Sequence, residues 1–267
     1  MYKKLPAILI LLAAALLAFT GCVSETATRV TPASSPKAEV YHIGKFVWFD
    51  LLTEDTRAVQ PFYSKLFGWR FAADRSAPDR IMIYNGEKQI GSIVPHEDKD
   101  PEKTESMWLV SLSVEDVDRA VSVVKARQGE VLNGPMDVRN RGRIAVIRDQ
   151  EGAELVLIRS TGGDPPDAGV QTGEWLWVDL FSKDTQKALD FYGAVAGYTP
   201  QTYPAADEEF ITLLRRGNRA YAGIIELRWE EVEPNWLPYI KVDDIEETIQ
   251  KAEKLEGKLI LRTSNVA

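Results

Sequence analysis

The residues in this chain that could do chemistry are few. Across 267 residues there are two histidines, His42 and His96, and one cysteine, Cys22. A Ser/His/Asp or Cys/His nucleophile arrangement needs a histidine beside the nucleophile, and neither histidine stands in such a context. His96 opens the run His96-Glu97-Asp98-Lys99-Asp100, which reads as a solvated acidic loop. Phosphate-cradling glycine loops are missing, the nearest run being Thr161-Gly162-Gly163. What remains is a pair of indole and carboxylate couples, Trp48 with Asp50 and Trp177 with Asp179, accompanied by Trp108 and Trp236. Residues two apart in a strand share a face, so each tryptophan should point the same way as its aspartate. An apolar concavity with a few convergent polar groups is the usual build of a small-molecule site. These six residues are the candidate ligand-binding set, and a small apolar or aromatic compound is the expected ligand. The competing reading is that the tryptophans plug a cup and the aspartates bond backbone.

Cys22 belongs to a different chemistry. Tyr2-Lys3-Lys4 is a short basic segment, Leu5 to Phe19 is almost wholly apolar, and Thr20-Gly21 are small, which is secretory signal architecture. The apolar stretch is short for a bilayer span. As the sole cysteine, Cys22 has no disulfide or zinc partner. Phe19-Thr20-Gly21-Cys22 resembles the lipobox of bacterial lipoproteins, with Phe19 where leucine is commoner. The resemblance implies a signal peptide over 1–21 and acylation of Cys22, whose lipid chains would hold the protein to a membrane. It also implies attachment to the cell envelope, at the outer membrane or periplasmic face rather than the cytoplasm. Residues 22–41, rich in Ser, Thr, Pro and Ala, read as a flexible tether. Loss of Lys3 and Lys4 would move the formal net charge from -8 to -10. So acidic a domain is a poor partner for nucleic acid, whose phosphates require Lys and Arg stripes.

The elements that must position the tryptophans come in repeats. Gly44 to Asp55 reappears in register as Gly173 to Asp184, carrying Phe62-Tyr63 onto Phe191-Tyr192 and Gly68 onto Gly197. Trp108-Leu109, Val114-Glu115-Asp116 and Gly129 reappear as Trp236-Leu237, Val242-Asp243-Asp244 and Gly257. Two homologous domains follow, at 42–160 and 173–267, joined by a Gly-, Asp- and Pro-rich linker at 161–172. In the first, Phe46 to Leu52 alternates like a strand, Arg57 to Phe67 has helical spacing ended by Gly68, and Arg80–Tyr84 and Gln89–Val94 read as strands. The pattern then repeats with a strand at Met107–Val114, a helix at Val117–Arg127 and strands near Glu130–Leu132, Arg143–Arg148 and Glu154–Arg159.

Doubled βαβββ units of this kind, with Trp48-Phe49-Asp50-Leu51, Phe62-Tyr63 and Gly68-Trp69 and their second copy, resemble the vicinal oxygen chelate superfamily of glyoxalases, bleomycin-resistance proteins and extradiol dioxygenases. The fold implied is α+β, with duplicated units forming two cupped mixed sheets. The second sheet is expected to lack its last two strands, leaving a short strand near Lys258–Leu261 and an edge open to self-association. Metalloenzymes of the superfamily hold a divalent ion in the cup. The resemblance places the ligand positions on Trp48, Leu109 and Val156, and on Trp177 and Leu237, none of which offers an oxygen or imidazole donor. No metal site and no cofactor are therefore expected. The reading is a membrane-anchored, non-catalytic small-molecule binding or scaffold lipoprotein. Its alternatives are a lyase, isomerase or dioxygenase with a relocated metal, or a drug-sequestering protein of the bleomycin-resistance type.

Overall fold

The computed structural model describes residues 39–75, 77–96, 106–204, 210–229 and 232–262. The segment expected to be a signal peptide, Cys22 and nearly all of the expected tether lie outside the described residues, as does the acidic run after His96. Among the described residues, thirteen strands and four helices follow in βαβββ order, as far as α4 in the fourth unit. The first unit is β1 (Phe46–Thr53), α1 (Val59–Phe67), β2 (Arg70–Asp74), β3 (Ala77–Asn85) and β4 (Lys88–Pro95). The second is β5 (Met107–Ser113), α2 (Val117–Ala126), β6 (Glu130–Val138), β7 (Gly142–Arg148) and β8 (Glu154–Ser160). The third is β9 (Trp175–Ser182), α3 (Thr185–Ala196), β10 (Thr199–Pro204), β11 (Phe210–Arg216) and β12 (Arg219–Glu226). The fourth has β13 (Asn235–Ile240) and α4 (Ile245–Lys254).

Local chemistry accounts for the helix ends. Asp116, Asp184 and Asp244 each accept a bond from the backbone N–H three residues on, satisfying a first-turn donor of α2, α3 and α4. α1 begins two residues later than its periodicity predicts, because Asp55 spends its carboxylate on the Arg57 and Ala58 amides of a preceding turn. Gly68 and Gly197 end α1 and α3 with positive φ, of 74° and 71°.

One sheet has eight strands in the order β2-β3-β4-β1-β5-β8-β7-β6 and the other five, β10-β11-β12-β9-β13. Both are mixed: β1 runs parallel to β4 and antiparallel to β5, and β9 runs parallel to β12 and antiparallel to β13. The short strand expected near Lys258–Leu261 is not formed, and 257–262 carry no regular structure. Its counterpart β6 is held by a ladder to β7, from Glu130↔Arg148 to Val138↔Gly142. Among the described residues, nothing offers 258–261 such a partner.

The four helices lie between the sheets, and the units pair in nested fashion. α2 and α3 share one core with both sheets, built on Val117, Val121, Val124, Ala188, Phe191 and Tyr192. Unit one pairs with unit four: Phe62, Leu66, Trp69 and Ile93 form a core onto which Ile240, Ala252 and Leu255 pack, half-buried. Lys251 donates to the Leu66 carbonyl at 3.1 Å across this junction. A largely buried aromatic group ties the domains together, with buried Phe49 stacked on half-buried Trp175 at 4.3 Å and Trp175 edge-on to half-buried Trp108 at 4.8 Å. The indole N–H groups of buried Trp69 and half-buried Trp175 donate to the Gly173 and Ile90 carbonyls at 2.8 and 2.7 Å, so both donors are satisfied.

Helix α4 is far less covered than its counterpart α2. α2 buries Val117, Ala120, Val121 and Val124, whereas no residue of α4 is buried, and Ile245, the counterpart of Val117, is 67% exposed against 1%.

Candidate functional site

On β1 the side chains of Phe46, Phe49 and Leu51 face the helices, while a bulge between Phe46 and Trp48 turns Val47 and Trp48 to the opposite, concave face. Asp50 shares that face and is 2% exposed. The Trp48 Nε1–H donates to Asp50 Oδ1 at 2.9 Å, and the Ser92 hydroxyl of β4 donates to the same oxygen. Arg141, in the tight turn between β6 and β7, reaches over the sheet. Its Nη2 donates to Asp50 Oδ2 and, at 3.0 Å, to Ser111 Oγ of β5. Its Nε is buried with no partner. The rest of the concavity is apolar, with Val47, Leu109, Ile144, Val156 and Ile158 buried against Met107 and Met136. The first cup is thus closed on itself, an ion pair lidding a packed floor.

The second cup repeats the couple, and among the described residues no guanidinium lies across it. Trp177 and Asp179 face away from α3, and Trp177 Nε1–H donates to Asp179 Oδ1 at 2.7 Å. β13 supplies Tyr239, opposite Trp177, as β5 supplies Ser111 opposite Trp48. The Tyr239 hydroxyl and the Gly223 amide also donate to the Asp179 carboxyl. Gly223 is needed here, because a Cβ would stand 2.2 Å from Asp179 Oδ1. Burial holds the Asp179 carboxyl above the ordinary carboxylate range, against the pull of those three donors. Burial and the neighbouring Asp179 charge likewise raise the Tyr239 phenol. This face is more open than the first among the described residues: Asp179 is partly exposed where Asp50 is buried, and Leu176 is 52% exposed where its counterpart Val47 is 7% exposed.

Trp108 and Trp236 do not join these couples, which corrects their place in the candidate set. Both point to the helix side of their sheets: Trp108 donates to the Tyr63 hydroxyl at 3.1 Å and Trp236 to the Tyr192 hydroxyl at 2.9 Å. They sit one residue before the cup positions Leu109 and Leu237, and strand alternation sends them the other way. Tyr192 in turn donates to Asp149 Oδ2 at 2.9 Å, a buried relay between the domains. Desolvation pushes the Tyr63 phenol up to about 12 and raises Tyr192 and Asp149 as well. Arg141, Ser92, Ser111 and Tyr239 escape a reading by motif. Arg141 lies 91 residues from Asp50 in sequence, and only the ladder between β1 and its neighbours brings the four into the cups.

A divalent ion does not fit either cup. Trp48, Leu109 and Val156 project into the first, Trp177 and Leu237 into the second, and carbon cannot ligate. Among the described residues, no three His, Cys, Asp or Glu side chains are grouped to hold a metal, and no helix is long and apolar enough to cross a membrane.

Comparison with known proteins agrees with this architecture. The profile of the Glyoxalase/Bleomycin resistance protein/Dioxygenase superfamily matches residues 45–157. "Putative glyoxylase CFP32" of Mycobacterium tuberculosis (strain CDC 1551 / Oshkosh) is 30% identical over 236 residues, covering 86% of this chain and 90% of its own length. The chain belongs to this superfamily. The "Anthracycline biosynthesis protein DnrV" of Streptomyces peucetius is 28% identical over 234 residues, 81% of this chain and 83% of that protein. Among solved structures, the Mn(II)-bound glyoxalase from Novosphingobium aromaticivorans superposes with a TM-score of 0.53 at 13% identity, over 80% of this chain and 70% of that one.

Proposed function

We propose that this superfamily member is a metal-independent small-molecule binding protein, held to the cell envelope through acylated Cys22, with its ligand on the concave face of the second sheet. The observation that carries the reading is the replacement of every expected donor by Trp48, Leu109, Val156, Trp177 and Leu237. The first cup is an unfavourable host, because the ion pair of Asp50 with Arg141 and the packing of Val156 and Ile144 occupy it. The second presents a partly exposed tryptophan beside a desolvated carboxyl, an apolar wall with one convergent polar group. Two relatives named for anthracycline biosynthesis favour an aromatic ligand.

The test uses the full chain purified in detergent without chelator. Elemental analysis should find Mn, Fe, Ni and Zn far below one per chain. A soluble hydroxyanthraquinone should bind, and Trp177→Ala should abolish binding while Trp48→Phe leaves it. A stoichiometric metal removed only with loss of binding would overturn the reading and favour a relocated metal site.

A further inference from the structure

The chain enters β1 through a segment that is pinned on three sides. Residues 40 and 41, expected in the tether, are held by the linker after β8: the Asp164 amide donates to the Val40 carbonyl at 2.8 Å, and the His42 amide donates to Asp164 Oδ2 at 2.8 Å. The hydroxyls of Ser113 on β5 and Ser160 on β8 donate to the same carboxylate at 2.6 and 3.1 Å, fixing it to the first sheet. Tyr41 adds its hydroxyl, donating to the Ser160 carbonyl at 3.1 Å, and its ring, 3.2 Å beneath the Arg159 guanidinium. Lys45 Nζ donates to the Pro165 carbonyl at 2.7 Å and to Asp167 Oδ1 at 2.8 Å. Asp167 also pairs with Arg219, the first residue of β12, so one linker carboxylate joins the entry segment to the second domain.

At the centre stands His42, its Nδ1 3.6 Å from Asp167 Oδ2 and its side chain 22% exposed. The charged groups that face it among the described residues are Lys45 on its own segment, Asp164 and Asp167 on the linker, and Arg219 on β12. These two cations and two carboxylates balance while the imidazole is neutral. A proton on it would leave one positive charge in excess, between Lys45 and Arg219. We infer that the cluster is an acid-released latch: neutral His42 leaves the entry segment bound to the linker and the second domain, and protonated His42 frees it.

Desolvation, Lys45 and Arg219 hold the imidazole below its ordinary value, against the pull of Asp164. The folded value is therefore the lower one, so the latch is fully formed above the unfolded value of 6.5 and weakens as pH falls through the folded value. The Gly44 amide is bonded to the Ser113 carbonyl of β5, which stops the release there. Residues 40–43 would join the free chain, a gain of about 14 Å at full extension. Only the consequence of that reach for a membrane-held protein rests on the anchor reading above; the latch itself does not.

Hydrogen exchange of the full chain in detergent, corrected for the intrinsic pH dependence of amide exchange, reads the latch at the His42 and Asp164 amides. Protection there should fall about threefold between about pH 7.5 and about pH 5.5, the effect of one partly exposed charge pair, while the amides of β7 and β8 keep theirs. His42→Gln should keep the protection and lose its pH dependence. Asp167→Asn should lower protection at both pH values, on the linker and the entry segment together. Where Asp167→Asn fails to fold, the unmodified chain and His42→Gln still decide. Protection that does not change with pH, or a pH dependence that survives in His42→Gln, would overturn the acid release. An Asp167→Asn chain as protected as the parent would overturn the latch. Acylation of Cys22, read separately by mass spectrometry, is untouched by each of these results.

Discussion

Replacing Arg141 by Met should cost this protein a large share of its stability, and the structure sets the size. Arg141 and Asp50 form the first cup's ion pair, with side chains 12% and 3% exposed. Methionine keeps most of the volume but leaves a buried carboxylate with only Trp48 and Ser92 to stabilise its charge. Breaking a buried pair on one side costs about 3 kcal/mol or more, because the surviving charge loses both its partner and its water. For a chain of this size each kcal/mol lowers Tm by about 2–4 °C, so Arg141→Met should melt about 6–12 °C lower. Adding Asp50→Asn to the Met variant removes the stranded charge and should recover more than half of the loss. Urea unfolding of the four proteins forms a double-mutant cycle. A shift under about 2 °C for Arg141→Met, or a double variant no better than the single one, would show that the guanidinium is solvated and does not lid the cup.

Replacing Cys22 by Ser should leave an uncleaved, unacylated precursor, read by mass spectrometry of the membrane fraction; a processed form in that variant would refute the anchor. Val117→Ala, at a position 1% exposed, should cost about 2 kcal/mol, whereas Ile245→Ala, at its 67% exposed counterpart, should cost less than about 0.5 kcal/mol and reduce any self-association seen by sedimentation. Asp149 has its carboxyl raised by burial, so the folded state binds its proton more tightly than the unfolded chain does. Its contribution is fully present below its unfolded value of 3.8 and is lost as pH rises through the folded value. Asp149→Asn should therefore flatten the acid side of the stability profile, and an unchanged profile in urea titrations across that range would refute the assignment.

The repeat made the architecture legible. Phe62-Tyr63 with Phe191-Tyr192, and Gly68 with Gly197, mark the same helix twice, and all four aromatics are buried at 9% exposure or less. The couples Trp48/Asp50 and Trp177/Asp179 were equally legible, because strand alternation alone puts residues two apart on one face. What alternation could not give was which face is concave relative to Trp108 and Trp236, since their neighbours Leu109 and Leu237 are as apolar as they are. β2 was missed for a related reason: Arg70-Phe71-Ala72-Ala73-Asp74 carries little β-propensity, and its ladder to β3, not its composition, makes it a strand. Arg141 sits in a turn whose sequence says only that the chain reverses, so its reach to Asp50 is a property of the closed sheet.

The nesting of the units bears on how the chain must be made. Contacts close from the inside outward: units two and three meet across a short stretch of chain, whereas α1 gains its cover from α4 only after 185 further residues are available, the span from Leu66 to Lys251. Until then Leu66, Trp69 and Phe62 lack the cover of α4, and the loop to be closed is long. Synthesis from the N-terminus would therefore deliver the first domain with one sticky flank until α4 has been made. The two repeats look like beads on a string in sequence, yet their folding is that of a clasp whose hook and eye are α1 and α4.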